Sequence, residues 1–96
     1  MRKVTKQISD AFNSGIKKTA GNTSVSVNEN GDCFLYLHGN LIAKRVNGEI
    51  WVTNAGWSSS TTKERLNGLQ GVSIYQAKGV WYLNGQEWDG SWQKIN

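Results

Sequence analysis

CFLYLHGNLIAKRVNGEIWVT, residues 33–53, is the stretch whose reading decides the fold. Three runs stand in it, CFLYLH (33–38), LIAKRV (41–46) and EIWVT (49–53), separated by Gly39-Asn40 and Asn47-Gly48. Apolar side chains recur within the runs at a period of two, the signature of a strand with one face on a core. Asn and Gly tolerate positive φ, which the tight turns of twisted hairpins require. The segment therefore predicts three antiparallel strands joined by short reversals.

The same pattern extends in both directions. Upstream, Val25 and Val27 alternate with Ser24 and Ser26; downstream come VSIYQA (72–77) and VWYL (80–83). Asn30-Gly31, Lys78-Gly79, Asn84-Gly85 and Asp89-Gly90 supply further reversals. Strands this short at this spacing predict an α+β protein whose body is a twisted antiparallel β-meander of about six strands over residues 22–96.

Two segments break the period. Val4, Ile8, Ala11 and Phe12 fall at helical spacing, with Gly15 as the stop, so residues 1–18 read as a basic N-terminal helix lying on the sheet. SSSTTKERLNGL (58–69) predicts a short inserted helix at about 61–68. Thr61 and Glu64 match a capping box, Leu66 and Leu69 the buried side, and Gly68 a left-handed end.

Ninety-six residues make one domain, and five Trp, three Tyr and two Phe supply large rings for its core. No apolar run reaches the length of a membrane span, and MRKVTKQISD lacks the apolar stretch of a secretory signal. Cys33 is the only cysteine, so no internal disulfide forms, and a reducing compartment is expected. The formal charge is +4, and its excess is local. Arg2, Lys3, Lys6, Lys17 and Lys18 face Asp10 alone within residues 1–18, while the rest of the chain is balanced.

Reactive chemistry finds little support. SSSTTK lacks the glycines that let a Walker loop wrap a phosphate chain, so its hydroxyls read as a helix cap and its polar approach. Cys33 and His38, five residues apart on one strand, point to opposite faces and form no thiolate–imidazole pair. One cysteine and one histidine also fall short of a zinc site. Glu87 and Asp89 stand too close for a glycosidase pair. The expectation is a protein without catalysis, metal or cofactor.

The aromatic residues are the stronger signal. Leu35, Leu37, Ile50, Val52, Val72, Ile74 and Val80 fall on one phase of the strands, and Phe34, Tyr36, Trp51, Tyr75 and Trp81 on the other. If the helices cover the aliphatic face, the aromatic face needs another cover: the terminal EWDGSWQKI with Trp88 and Trp92, or a partner. Trp57 sits in a glycine-flanked loop. Trp51, Trp57, Lys63, Arg65, Lys44 and Arg45 are the candidate partner-binding residues, rings as anchors and bases for orientation. Arg2, Lys3, Lys6, Lys17 and Lys18 are the alternative set, for nucleic acid.

GNTSV (21–25), LYLHGNLIAK (35–44), WVTNAGW (51–57), TTKERLNGL (61–69) and VWYLNGQEWDG (80–90) together resemble a family of small proteins encoded by tailed bacteriophages. The resemblance carries no activity and no catalytic residue with it. It implies a phage accessory product made in the cytoplasm of an infected bacterial host. The expected partner is a host protein or protein complex, with modulation or inhibition of a defence or transcription enzyme as the concrete form. A nucleic-acid-binding accessory protein and a minor virion component are the alternatives.

Overall fold

The computed structural model describes residues 3–56 and 59–95. In chain order these form α1 (Lys3–Ser14), β1 (Lys18–Ala20), β2 (Thr23–Val27), β3 (Cys33–Leu37), β4 (Asn40–Val46), β5 (Glu49–Val52), α2 (Ser60–Asn67), β6 (Ile74–Ala77), β7 (Val80–Leu83), β8 (Gln86–Glu87) and β9 (Gln93–Ile95). The expected α+β meander with an N-terminal and an inserted helix is present. It is divided into a six-stranded sheet ordered β1-β2-β3-β4-β5-β9 and a three-stranded sheet ordered β6-β7-β8. Every pairing among these strands is antiparallel.

In four of the two-residue hairpins both turn residues have positive φ: His38-Gly39, Asn47-Gly48, Lys78-Gly79 and Asn84-Gly85. That geometry matches the right-handed twist of the flanking strands. The first of these corrects the expected Gly39-Asn40 reversal by one residue. His38 takes the left-handed position at φ 51°, and Asn40 already belongs to β4.

The inner face of the six-stranded sheet buries Val25, Cys33, Leu35, Leu37, Ala43 and Val52 against Ile8, Ala11 and Phe12 of α1 and Leu66 of α2. Between Leu35 and Tyr36 the β3–β4 register shifts, so that Ile42 is the extra residue. Such a bulge lets two consecutive side chains leave the alternation, and both Ile42 and Ala43 are buried. As expected, α1 ends at Gly15, φ 72°. The Ile16 amide donates to the Ala11 carbonyl and the Gly15 amide to that of Phe12, a Schellman closure.

The inserted helix is closed differently from the sequence reading. Ser59, not Thr61, is the cap: its hydroxyl accepts the Thr62 N–H at 3.1 Å. Glu64 turns away from the cap and accepts the Thr5 hydroxyl at 2.6 Å. Gly68 is in the right-handed region, φ −75°, so the left-handed end foreseen there is absent. Its glycine has another reason. A methyl group at this position would overlap Ser9 Oγ and crowd the Thr5 methyl of α1, so the close approach of the two helices needs a bare backbone.

The three-stranded sheet also departs from the single phase assigned to all strands. Ile74, Trp81 and Leu83 are buried, with Trp88 tilted against Trp81 at 6.1 Å, while Val80 is only half-buried. Trp81 thus belongs with the core side chains. The phase is set afresh because β6–β8 form a sheet of their own. Tyr75 and Tyr82 stack at 5.1 Å on its opposite face. Gly90 ties the segment after β8 to the end of β5: its carbonyl accepts both the Asn54 amide and the Thr53 hydroxyl.

Candidate functional site

The outer face of the six-stranded sheet carries an organised set of side chains that the core does not use. Cross-strand register aligns Ser26 with Phe34, Phe34 with Lys44, Lys44 with Trp51 and Trp51 with Lys94. These five form one line across β2, β3, β4, β5 and β9. A parallel line joins Thr19, Ser24, Tyr36 and Leu41. Directly opposite residues on one face lie about 5 Å apart and interact, so the rings and lysines of the line are neighbours.

Phe34, Tyr36, Lys44 and Trp51 are half-buried, whereas Trp92 keeps 40% of its surface open. The Lys44 ammonium lies 4.7 Å from the centre of the Trp92 ring, a cation–π contact that pins both side chains at the sheet surface. Lys94 forms an ion pair with Glu49, and both members are substantially exposed. The terminal segment expected to cover this face divides its labour. Trp92 joins the outer face, while Trp88 packs on Trp81 in the other sheet and donates its indole N–H to the Ser91 carbonyl at 2.8 Å.

The structure brings together two of the residues singled out for partner binding, Trp51 and Lys44, and places Arg45, Arg65 and Lys63 elsewhere. Arg45 follows Lys44 in the strand and so points to the opposite face. There it donates to the Asn13 carbonyl at the end of α1, approaches Cys33 Sγ at 3.3 Å and lies over the Phe12 ring. Arg65 is only 4% exposed. It donates to the hydroxyls of Thr23 and Thr5 and to the Glu64 carboxylate, joining β2, α1 and α2. Both arginines serve the interior and are withdrawn from the surface site. Lys63 lies over Trp81 of the second sheet and donates to the Gln76 side chain. Trp57 lies outside the described residues.

The described members of the basic N-terminal set are likewise spread out. Lys3 and Lys6 are exposed on α1, which covers the inner face, and Lys6 pairs with Asp10 one turn on. Lys17 and Lys18 are exposed at the edge strand β1. Arg2 lies outside the described residues.

The question of an anion pocket at the hydroxyl run also has an answer in geometry. A cleft of about 360 Å³ opens beside the start of α2, with Ile42, His38, Asn54 and Thr61 on its walls. The Thr62 amide facing it is already bonded to Ser59, and the Asn54 side chain accepts the Gly56 amide. His38 Nε2 stands 3.3 Å from the Asn22 side chain across the neighbouring turn. Among the described residues, no three His, Cys, Asp or Glu side chains converge to hold a metal ion. Asp89 titrates below the ordinary carboxylate range because the Ser91 hydroxyl and amide both donate to it. It lies fully exposed in a turn, and these bonds serve the turn.

Phe34 and Trp92 were visible as rings in the sequence, but only the structure shows that they flank Lys44. Lys94 gave no signal at all, because its place beside Trp51 depends on β9 returning to pair with β5.

The molecule is thus a small two-sheet α+β protein in which one face of the larger sheet is sealed by helices and the other carries half-buried rings and lysines. The chain belongs to the family of the Kyanoviridae Gp96 protein, a cyanophage protein, whose family model it matches over residues 1–95. No curated protein and no solved structure matches it. Among the described residues no helix is long and apolar enough to cross a membrane.

Proposed function

We propose that this phage protein is a non-catalytic accessory factor that works by docking on a host macromolecule through the outer face of its six-stranded sheet. The observation that carries the reading is the aligned surface of Phe34, Lys44, Trp51 and Lys94, flanked by Tyr36 and Trp92. Aromatic side chains held on a rigid sheet lose little conformational freedom on binding, and they bury large areas. Lysines among them orient the partner and speed its encounter. Occupying a surface of the host molecule is enough to modulate or inhibit it, and no bond need be made or broken. The cytoplasm of the infected cell is where this action is placed.

The sequence reading favoured a host protein as partner and counted two arginines among the orienting bases. With Arg45 turned to the helix side of the sheet and Arg65 buried, the orienting bases that remain on this face are lysines.

Affinity capture from an infected host, comparing the natural protein with Trp51→Ala and Trp92→Ala, tests the reading. Captured material should be lost from both variants while their circular dichroism and melting stay close to the parent. Undiminished capture by the two folded variants would remove the face from the account.

A further inference from the structure

Resting on the proposal that this face is the docking surface, we infer that its occupant is a single-stranded nucleic acid, with bases on the rings and phosphates on the lysines. Three features of the face point that way. First, rings and cations are interleaved in one line: Phe34, Lys44, Trp51 and Lys94 occupy four successive strands. Strands stand about 4.8 Å apart, so the backbones of the two ring residues are separated by about 10 Å, as are those of the two lysines. A polymer that alternates flat apolar groups with anions finds both partners along such a line.

Second, the charge on the face is net positive. Among the described residues Lys44 and Lys94 are its basic groups, and Glu49, paired with Lys94, offsets one of their charges. Lys17, exposed one residue before β1, extends the same line at the sheet edge if the β1–β2 register is continued. Lysine binds phosphate as a point charge without demanding the planar geometry that arginine imposes. Hydroxyls from Ser26 and from the parallel line of Thr19 and Ser24 lie alongside as further phosphate donors.

Third, the rings are presented as a platform. Each base has a π-face, so stacking on aromatic side chains tolerates any sequence, whereas the bases of a duplex are already stacked and out of reach. Among the described residues the face carries no set of amide side chains aligned to read base edges. Binding should therefore favour single strands over duplex and show little sequence preference.

The test is titration of the full chain with oligothymidylate, followed by tryptophan fluorescence and by anisotropy of a labelled strand. Quenching and saturable binding are expected at low salt. The affinity should fall with salt at a log–log slope of roughly −1.5 to −2, as two or three lysine–phosphate contacts require. Trp51→Ala should weaken binding by roughly tenfold or more, the range for one lost base stack. Lys44→Gln with Lys94→Gln, a surface pair that spares the core, should weaken it and flatten the salt slope. Lys3→Glu with Lys6→Glu, on the helix behind the sheet, should leave the stacking-dependent quenching in place. Absence of binding at low salt would overturn the inference, as would binding indifferent to Trp51 and Lys44 or tighter binding to duplex. If oligothymidylate fails while Trp51→Ala still abolishes capture of a nuclease-resistant host protein, the docking face stands and its nucleic-acid occupant falls. If neither depends on the face, both fall.

Discussion

Leu35 and Phe34 are neighbours in β3, yet they belong to different parts of the molecule. Leu35 is wholly buried beneath α1, and Phe34 stands half-open on the other side of the sheet. The inner face is aliphatic, closed and cross-linked by buried polar bonds. The outer face is aromatic, cationic and covered by no helix. A sheet needs only one sealed face to be stable, so the second is available for work. The difference between the faces separates residues that make the fold from residues that are free to make contacts.

The two neighbours offer the sharpest way to break that separation. Leu35→Ala should destabilise the protein by about 2–5 kcal/mol, as expected for an enclosed leucine that leaves a cavity. Phe34→Ala should cost about 1 kcal/mol, in line with a ring that already meets solvent. Chemical denaturation of both variants measures the contrast, and equal losses would erase the distinction between the faces.

Arg65 ranks next. Removing it leaves Thr5, Thr23 and Glu64 without their shared donor, so Arg65→Ala should lower stability by about 3 kcal/mol. A variant as stable as the parent would mean that these groups find other partners. Gly68→Ala should cost about 1–3 kcal/mol through the overlap with α1, although its backbone suits alanine. Adding Ser9→Ala removes the nearest obstructing atom and should restore part of the loss. A plain helix-propensity view predicts the reverse, a gain on replacing glycine, so the sign of the change is decisive.

How much of this was legible follows from the range of the interactions. The strands and most of the turns were readable because alternation and Asn-Gly pairs are local. The helix cap was misplaced by two residues because Ser59 and Thr61 are chemically near-equivalent, and only packing chooses between them. Glu64 looked like a capping partner, but Thr5, far away in sequence, holds it instead. Gly68 looked like a left-handed stop because its helix–helix contact is invisible in one segment. For the site, parity alone separates Lys44 from Arg45, since consecutive strand residues face opposite ways. Their pairing as surface candidates overlooked it. The places of Lys94 and Trp92 rest on the return of β9 to β5, a long-range pairing that no local pattern announces.

The smallest effect concerns the turn that precedes β9. Asp89 is held below the ordinary carboxylate range by the Ser91 hydroxyl first and its amide second. A depressed folded value means that the bonded carboxylate favours the fold above the unfolded pKa. That contribution is lost as the pH falls through the folded value. Ser91→Ala should move the Asp89 titration upward, as followed by carbon NMR of its side chain, with little change in melting at neutral pH.

Side-chain footprinting of the protein in an infected-cell extract tests the central claim most directly. Trp51 and Trp92 should become shielded from oxidation relative to the isolated protein, while Tyr75, 48% exposed on the second sheet, stays equally reactive in both. Shielding of Tyr75 with Trp51 and Trp92 unchanged would contradict the claim and move the working surface to the other sheet.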